Sequence, residues 1–423
     1  MPSLFPPPLS NADRQALGEL LPLLCRPELN PAQHTALRAL LDRLPGPLPL
    51  LPSLFALEPL FRHHAIHARV DPVRLFRPDR AWRAPPFSTM AKAYYDRKAL
   101  LERIAAALAA HETGPVLLIK GTALAEAWPS PALRHMCDMD LVVAPERARQ
   151  AEQALESAGL RKTHNLTGTG WEWSSWGRLD LQVPREEFAR RVLGAATQPP
   201  PWMPGIPQPL LVPTVPHHLV LLALHTAQHH GSRLWRDVCD ARALLEHHPG
   251  GLHEALELLR TSPADGEGLL PAFLAFCSFL HRHAAEDRAP EISTVALPEK
   301  AARRAQALAG LYDRMAFETA PPIFLSVLRR TGSAPRRALG GLIRRLRRRR
   351  QLATRPEGTV RLSSGQDPIL GRVPDAGTMA LHLLKLRLLA GLWFTAGGRR
   401  YRRLLREDRR ARPAESLFSS PME

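Results

Sequence analysis

Residues Val116 to Val143 read VLLIKGTALAEAWPSPALRHMCDMDLVV. The apolar run Val116–Ile119 predicts a strand, Lys120-Gly121-Thr122 a turn into a short helix, and the run carrying Asp138 and Asp140 a second strand. Alternate side chains of a strand share a face, so Asp138 and Asp140 project together, roughly 6.5 Å apart at Cα. Met139, Leu141 and Val143 then point to the opposite, packed face. Two carboxylates aimed at one spot repel unless a cation lies between them. Mg²⁺ suits such a place, because it takes hard oxygen ligands and shares them with substrate phosphates.

The order of strand, Lys120-Gly121, helix, Arg134 and then Asp138-Met-Asp140-Leu-Val resembles the signature of the DNA-polymerase-β-like nucleotidyltransferase superfamily. It is most similar to a bacterial branch of uncharacterised nucleotidyltransferases. The resemblance spans about residues 50–250 and is most specific over 117–143. It implies an α/β (α+β) fold: a small mixed sheet flanked by helices before and after. It also implies a third carboxylate on a neighbouring strand, and Asp180 in LDLQV (179–183) is the best placed. The resemblance thus makes Asp138, Asp140 and Asp180 the catalytic and metal-ligating residues, with two Mg²⁺ ions and an NTP as substrate. Gly121 and Thr122 become the phosphate turn, Lys120 a phosphate partner, and Arg134 a triphosphate ligand through its planar fork. The branch has Asp-Leu-His where this chain has Asp180-Leu181-Gln182, a local departure.

The chain has 423 residues and 45% apolar content, enough for two or three domains with real cores. Its 42 prolines predict short, sharply ended helices. The four cysteines form no CxxC pair, which argues against a zinc ribbon or a disulfide framework. The first residues, MPSLFPPPLSNADRQ, lack a signal-peptide pattern, and no apolar run reaches the length of a membrane span, so a cytoplasmic protein is expected. The formal net charge is +17, but from Arg329 onward 23 basic residues face 7 acidic ones, or +16. The basic character therefore belongs to the tail. Neither the P-loop pattern GxxxxGK[ST] nor the dinucleotide pattern GxGxxG occurs.

Capped helices are expected at 11–25 and 30–44, with Ser10 or Asn11 opening the first and Asn30-Pro31 the second. A long helix is expected over 89–111, and another over 145–158 ending at Gly159. Strands follow at 160–166, 171–176 and 179–183, with Gly177-Arg178 as the turn between the last two. A proline-rich linker (198–209) leads to a helical pair, 217–231 and 232–248, and further helices to residue 330. The expected organisation is a helical region over 1–112, a catalytic core over 113–197, helices packing on it over 210–330, and an Arg-rich tail over 331–423 with one apolar helix (378–394).

Each functional reading has a plainer one beside it. In the plainer reading Asp138 and Asp140 end a strand in solvent, Gly121 serves an ordinary strand-to-helix turn, and Arg134 pairs with an aspartate. His225 and His229 lie one helical turn apart with Asp237 and Asp240 downstream, which invites a metal-hydrolase reading. HTAQH lacks the glutamate of HExxH, however, and polar residues at the rim of a helical pair are the simpler account. The tail suits an anionic partner, nucleic acid or lipid, or a solvated extension. The expected function is Mg²⁺-dependent transfer of a nucleoside monophosphate from NTP to an acceptor hydroxyl on a small molecule or protein. A non-catalytic nucleotide-binding scaffold, or binding through the tail alone, is the alternative.

Overall fold

The computed structural model of the chain describes residues 9–44, 47, 54, 57–72, 75, 87–134, 136, 138–165, 168–174, 177–184, 200–228, 234–261, 269–284, 286–287, 289–317 and 418–419. All belong to one compact unit, Pro8–Glu318 with Arg410–Glu423. The other unit, Met1–Pro7 with Thr319–Arg409, lies outside the described residues, and with it the Arg run and the helix expected over 378–394.

The N-terminal helices begin where their capping residues stand. Ser10 accepts from the Asp13 amide and opens α1 (Asn11–Leu24). Asn30 opens α2 (Pro31–Asp42) in a reciprocal capping box with Gln33, and Pro31 fills the first turn where no amide is needed. Leu17, Leu20, Leu21 and Leu24 recur at helical spacing and form the buried stripe of α1. Then come α3 (Glu58–His67) and the long α4 (Phe87–Ala110).

The centre is a mixed sheet. β1 (Val116–Ile119) runs into the one-turn helix α5 (Gly121–Ala125), and β2 (Asp138–Val142) returns antiparallel to β1. Helix α6 (Ala148–Ser157) leads to β3 (Arg161–Asn165), β4 (Gly168–Ser174) and β5 (Gly177–Pro184), then β6 (Leu210–Leu211). The order across the sheet is β3-β4-β5-β2-β1-β6, and a two-residue strand, β7 (Phe418–Ser419), pairs with β5. β5 lies parallel to β2, and β6 parallel to β1.

Three strand assignments differ from expectation, the first being β4, which begins at Gly168 rather than at residue 171. Gly177 and Arg178 are the first residues of β5, not a turn, because Gly177 already pairs with Ser174 of β4. Leu210–Leu211, expected just past the linker at the start of the helical region 210–330, adds a strand beside β1.

Helices α7 (Val215–Gln228), α8 (Leu234–His247), α9 (Gly251–Arg260), α10 (Leu269–Ala284) and α11 (Glu299–Ala316) complete the unit. α10 is buried on nearly every side, as LLPAFLAFCSFL, with no polar stripe, requires. One apolar cluster runs from Leu9 through the sheet to Phe317. Among the described residues no helix is long and apolar enough to cross a membrane.

Of the four buried histidines among the described residues, His64 and His218 are the most enclosed. His64 of α3 makes a 2.8 Å hydrogen bond to the Arg26 carbonyl, and burial takes its pKa down to about 4. Burial takes His218 of α7 down to about 3. The unfolded chain binds a proton at each below pH 6.5 while the folded chain does not. Their stabilising effect is therefore complete above pH 6.5 and fades as pH falls toward the folded values. Urea unfolding at pH 7 and pH 5 is expected to show a loss of about 2 kcal/mol for each histidine. His64→Gln should flatten that dependence; an unchanged slope would remove His64 as its source.

Candidate active site

The register of β2 against β5 decides which carboxylates meet. Asp140 is the direct partner of Asp180, and Asp138 is the partner of Arg178. Paired residues of adjacent strands share a face, as do residues two apart on one strand. Asp138, Asp140, Arg178 and Asp180 therefore project from one side of the sheet. The opposite side of β2 is apolar, with Met139, Leu141 and the following Val143 wholly buried. The structure thus brings the three expected carboxylates together.

Asp140, Arg178 and Asp180 each have a partner on the face. Gln182 donates from Nε2 to Asp140 Oδ1. Arg178 donates from Nε to Asp180 Oδ1 at 2.7 Å. Burial raises the Asp180 carboxyl above the usual carboxylate range; Arg178 pulls it back, and the Asp138 charge pushes it up again. Lys120 acts in the same sense as Arg178, which places its ammonium within electrostatic reach of Asp180.

The turn between β1 and α5 is tightly held. Lys120 has φ +53°, a left-handed conformation uncommon outside glycine, and Gly121 follows with φ +34°. A Cβ on Gly121 would lie 2.9 Å from the Asp138 carbonyl oxygen. Glycine is thus required for the turn to lie directly on the start of β2. Gly121 and Thr122 are buried, and Lys120 is the half-exposed member of the three. Thr122 Oγ1 finds no hydrogen-bond partner. Gly121→Ala is expected to destabilise the protein by about 1–3 kcal/mol, through overpacking and backbone strain. It should also displace Asp138, so thermal denaturation and turnover would fall together; a variant with wild-type turnover would uncouple the turn from the carboxylates.

Arg134, expected at a triphosphate, lies beneath the turn with its side chain 2% exposed. Its Nε and Nη2 donate to the two oxygens of Asp240 of α8 at 2.6 and 2.7 Å, and its Nη1 donates to the Gly121 carbonyl at 2.9 Å. Trp128 Nε1 also donates to Asp240, at 3.0 Å. Burial alone would weaken the guanidinium's hold on its proton, yet Asp240, with Asp237 and Asp138 behind it, more than offsets this and raises its pKa. From the other side, His218 Nε2 accepts the Lys120 amide at 3.3 Å, so the neutral ring carries its proton on Nδ1. His225 and Thr226 of α7 both bond Asp237 of α8, at 2.9 and 2.8 Å. These groups join α7 and α8 under the turn and are buried, whereas His229 lies outside the described residues.

Sequence reasoning passed over His218, Trp128 and Arg178. His218 supports the turn from a distant helix and Trp128 holds Asp240, and neither carries a local motif. Arg178 had a signal in the alternation Arg178-Leu-Asp180-Leu-Gln182, which extends the strand one period towards its start.

The three carboxylates offer hard oxygen donors of the kind Mg²⁺ takes, on one face of the sheet. In chemistry they fit such an ion. Among the described residues no three His, Cys, Asp or Glu side chains are already drawn into a metal-ligating group, and the nearest cation to Asp180 is Arg178.

Residues 91–261, from α4 to just past α9, match the model of a family described as uncharacterised nucleotidyltransferase. No curated protein and no solved structure matches the chain. The family match and the mixed sheet agree in fold, and the family description supports a general role in nucleotidyl transfer.

Proposed function

We propose, on the premise that residues 91–261 form a domain of the uncharacterised nucleotidyltransferase family, that the protein moves a nucleoside monophosphate from an NTP to an acceptor hydroxyl. The observation that carries this reading is the pairing of Asp140 with Asp180 across β2 and β5, with Asp138 on the same face. The acceptor oxygen bonds to the α-phosphorus, the bond from that phosphorus to the bridging oxygen breaks, and pyrophosphate leaves. Asp138, Asp140 and Asp180 are the residues to hold Mg²⁺. When bound, the ion neutralises the triphosphate and the charge that grows on the leaving pyrophosphate.

The chain's own groups supply the rest. Asp180, its basicity raised by burial, orients the acceptor hydroxyl and takes its proton. Gln182 fixes the rotamer of Asp140 through its amide. Lys120, half-exposed at the turn, meets the phosphates as a point charge. Gly121 keeps the turn against β2, and Thr122 brings an unsatisfied hydroxyl beside it. Arg134 acts from beneath, by holding the Gly121 carbonyl.

The reading is tested by incubating the protein with Mg²⁺, cell extract and each NTP in turn, labelled at the α- or the γ-phosphate. The expected result is α-label on an acceptor with release of pyrophosphate. Transfer of the γ-label would make the protein a kinase instead. Saturable nucleotide binding with no transfer from any NTP would leave the non-catalytic scaffold.

A further inference from the structure

Arg134 is enclosed, so the guanidinium on the carboxylate face belongs to Arg178. The register sets it opposite Asp138 and two residues before Asp180. The Arg178 and Asp180 side chains are 30% and 28% exposed, against 2% for Arg134. The neighbouring strand makes room for this pair. A Cβ on Gly170 of β4 would stand 2.9 Å from Arg178 Nε, 3.2 Å from Asp180 Oδ1 and 3.3 Å from Arg178 Nη2. Gly170 has no left-handed φ to explain the glycine, so what it provides is the space the ion pair fills.

An arginine keeps its charge at every accessible pH. If another cation takes Asp180, the guanidinium is released from that carboxylate, and a planar fork suits phosphate as well as carboxylate. We propose that Arg178 competes with the divalent ion for Asp180 and, once displaced, binds the triphosphate of the incoming nucleotide. This rests on the nucleotidyl-transfer reading and adds to it a residue that couples ion uptake to substrate binding. Loading the ion and binding the nucleotide then favour one another, since each removes the opponent of the other.

The test measures binding rather than turnover. Purified protein is titrated with Mn²⁺, and the free ion is followed by its electron paramagnetic resonance signal. Removing one adjacent positive charge in Arg178→Gln is expected to tighten Mn²⁺ binding about tenfold. Gly170→Ala alters no charge. The atoms its methyl group meets lie mainly on the flexible Arg178 side chain, so the pair should shift while the strand survives, and Mn²⁺ binding should tighten by a smaller factor. With Mn²⁺ present, a fluorescent non-hydrolysable NTP should bind Arg178→Gln about tenfold more weakly, and Arg178→Lys should recover part of the loss. Circular dichroism confirms that each variant is folded.

Equal Mn²⁺ affinity in wild type and Arg178→Gln overturns the competition, and unchanged nucleotide affinity overturns the second half. Failure of the parent reading looks different: Mn²⁺ uptake would be insensitive to Asp138→Asn. No uptake by either wild type or Arg178→Gln would overturn both.

Discussion

Asp140→Asn is expected to lower nucleotidyl transfer by about 10³-fold, equivalent to losing several kcal/mol of transition-state charge stabilisation. The protein should remain folded. Asp140 faces Asp180 across the sheet and shares its face with Asp138, so removing one of three neighbouring negative charges relieves repulsion. The amide can still accept the hydrogen bond from Gln182. A small rise in melting temperature is therefore expected. Asp180→Asn makes a useful contrast, because it strips Arg178 of its ion-pair partner. It should share the loss of transfer without the gain in stability. The measurement is transfer of α-labelled NTP at saturating substrate beside a thermal melt. Transfer that persists at the wild-type rate in Asp140→Asn would take the carboxylates out of the mechanism.

How much of this arrangement was legible depended on the range of the interaction that creates it. The strand, turn and Asp-x-Asp strand are local patterns, and period-two alternation alone puts Asp138 and Asp140 on one face. Ser10 and the Asn30–Gln33 box likewise act within one helical turn. Asp180 was readable only through the family resemblance, since nothing local says that β5 lies beside β2. Arg178 was misplaced because Gly177-Arg178 after a serine-rich run has the composition of a turn; the pairing of Ser174 with Gly177 puts it in the strand. β6 was missed because two leucines after prolines form a strand only if β1 offers an edge. The support of the turn was least legible of all. Arg134 finds Asp240 106 residues away, and His218 comes from a different helix. Arg134, Asp237 and Asp240 stood out as charged residues in the sequence, but charge alone does not say whether a residue faces substrate or holds a fold.

That last distinction sets up the largest expected effect on stability. Asp240 is wholly buried and accepts from Arg134 twice and from Trp128 once. Asp240→Ala leaves a buried guanidinium without its carboxylate, which costs about 3–5 kcal/mol, and orphans the Trp128 donor for about 1 kcal/mol more. The melting temperature should fall by roughly 10 °C or more. Removing both charges behaves differently, because the penalty belongs to the unpaired ion rather than to the missing pair. An Arg134→Met, Asp240→Leu double variant should recover most of the lost stability. It should not recover turnover, since the Gly121 carbonyl has then lost the Nη1 donor that ties the turn to the base of the sheet. Stability restored with transfer still depressed identifies Arg134 as the residue that positions the turn. A double variant as unstable as Asp240→Ala would mean that shape, not charge pairing, holds α8 to the turn. Restored stability with full transfer would mean that the fixed conformation of Lys120 and Gly121 is sustained by His218 and the close approach to Asp138 alone.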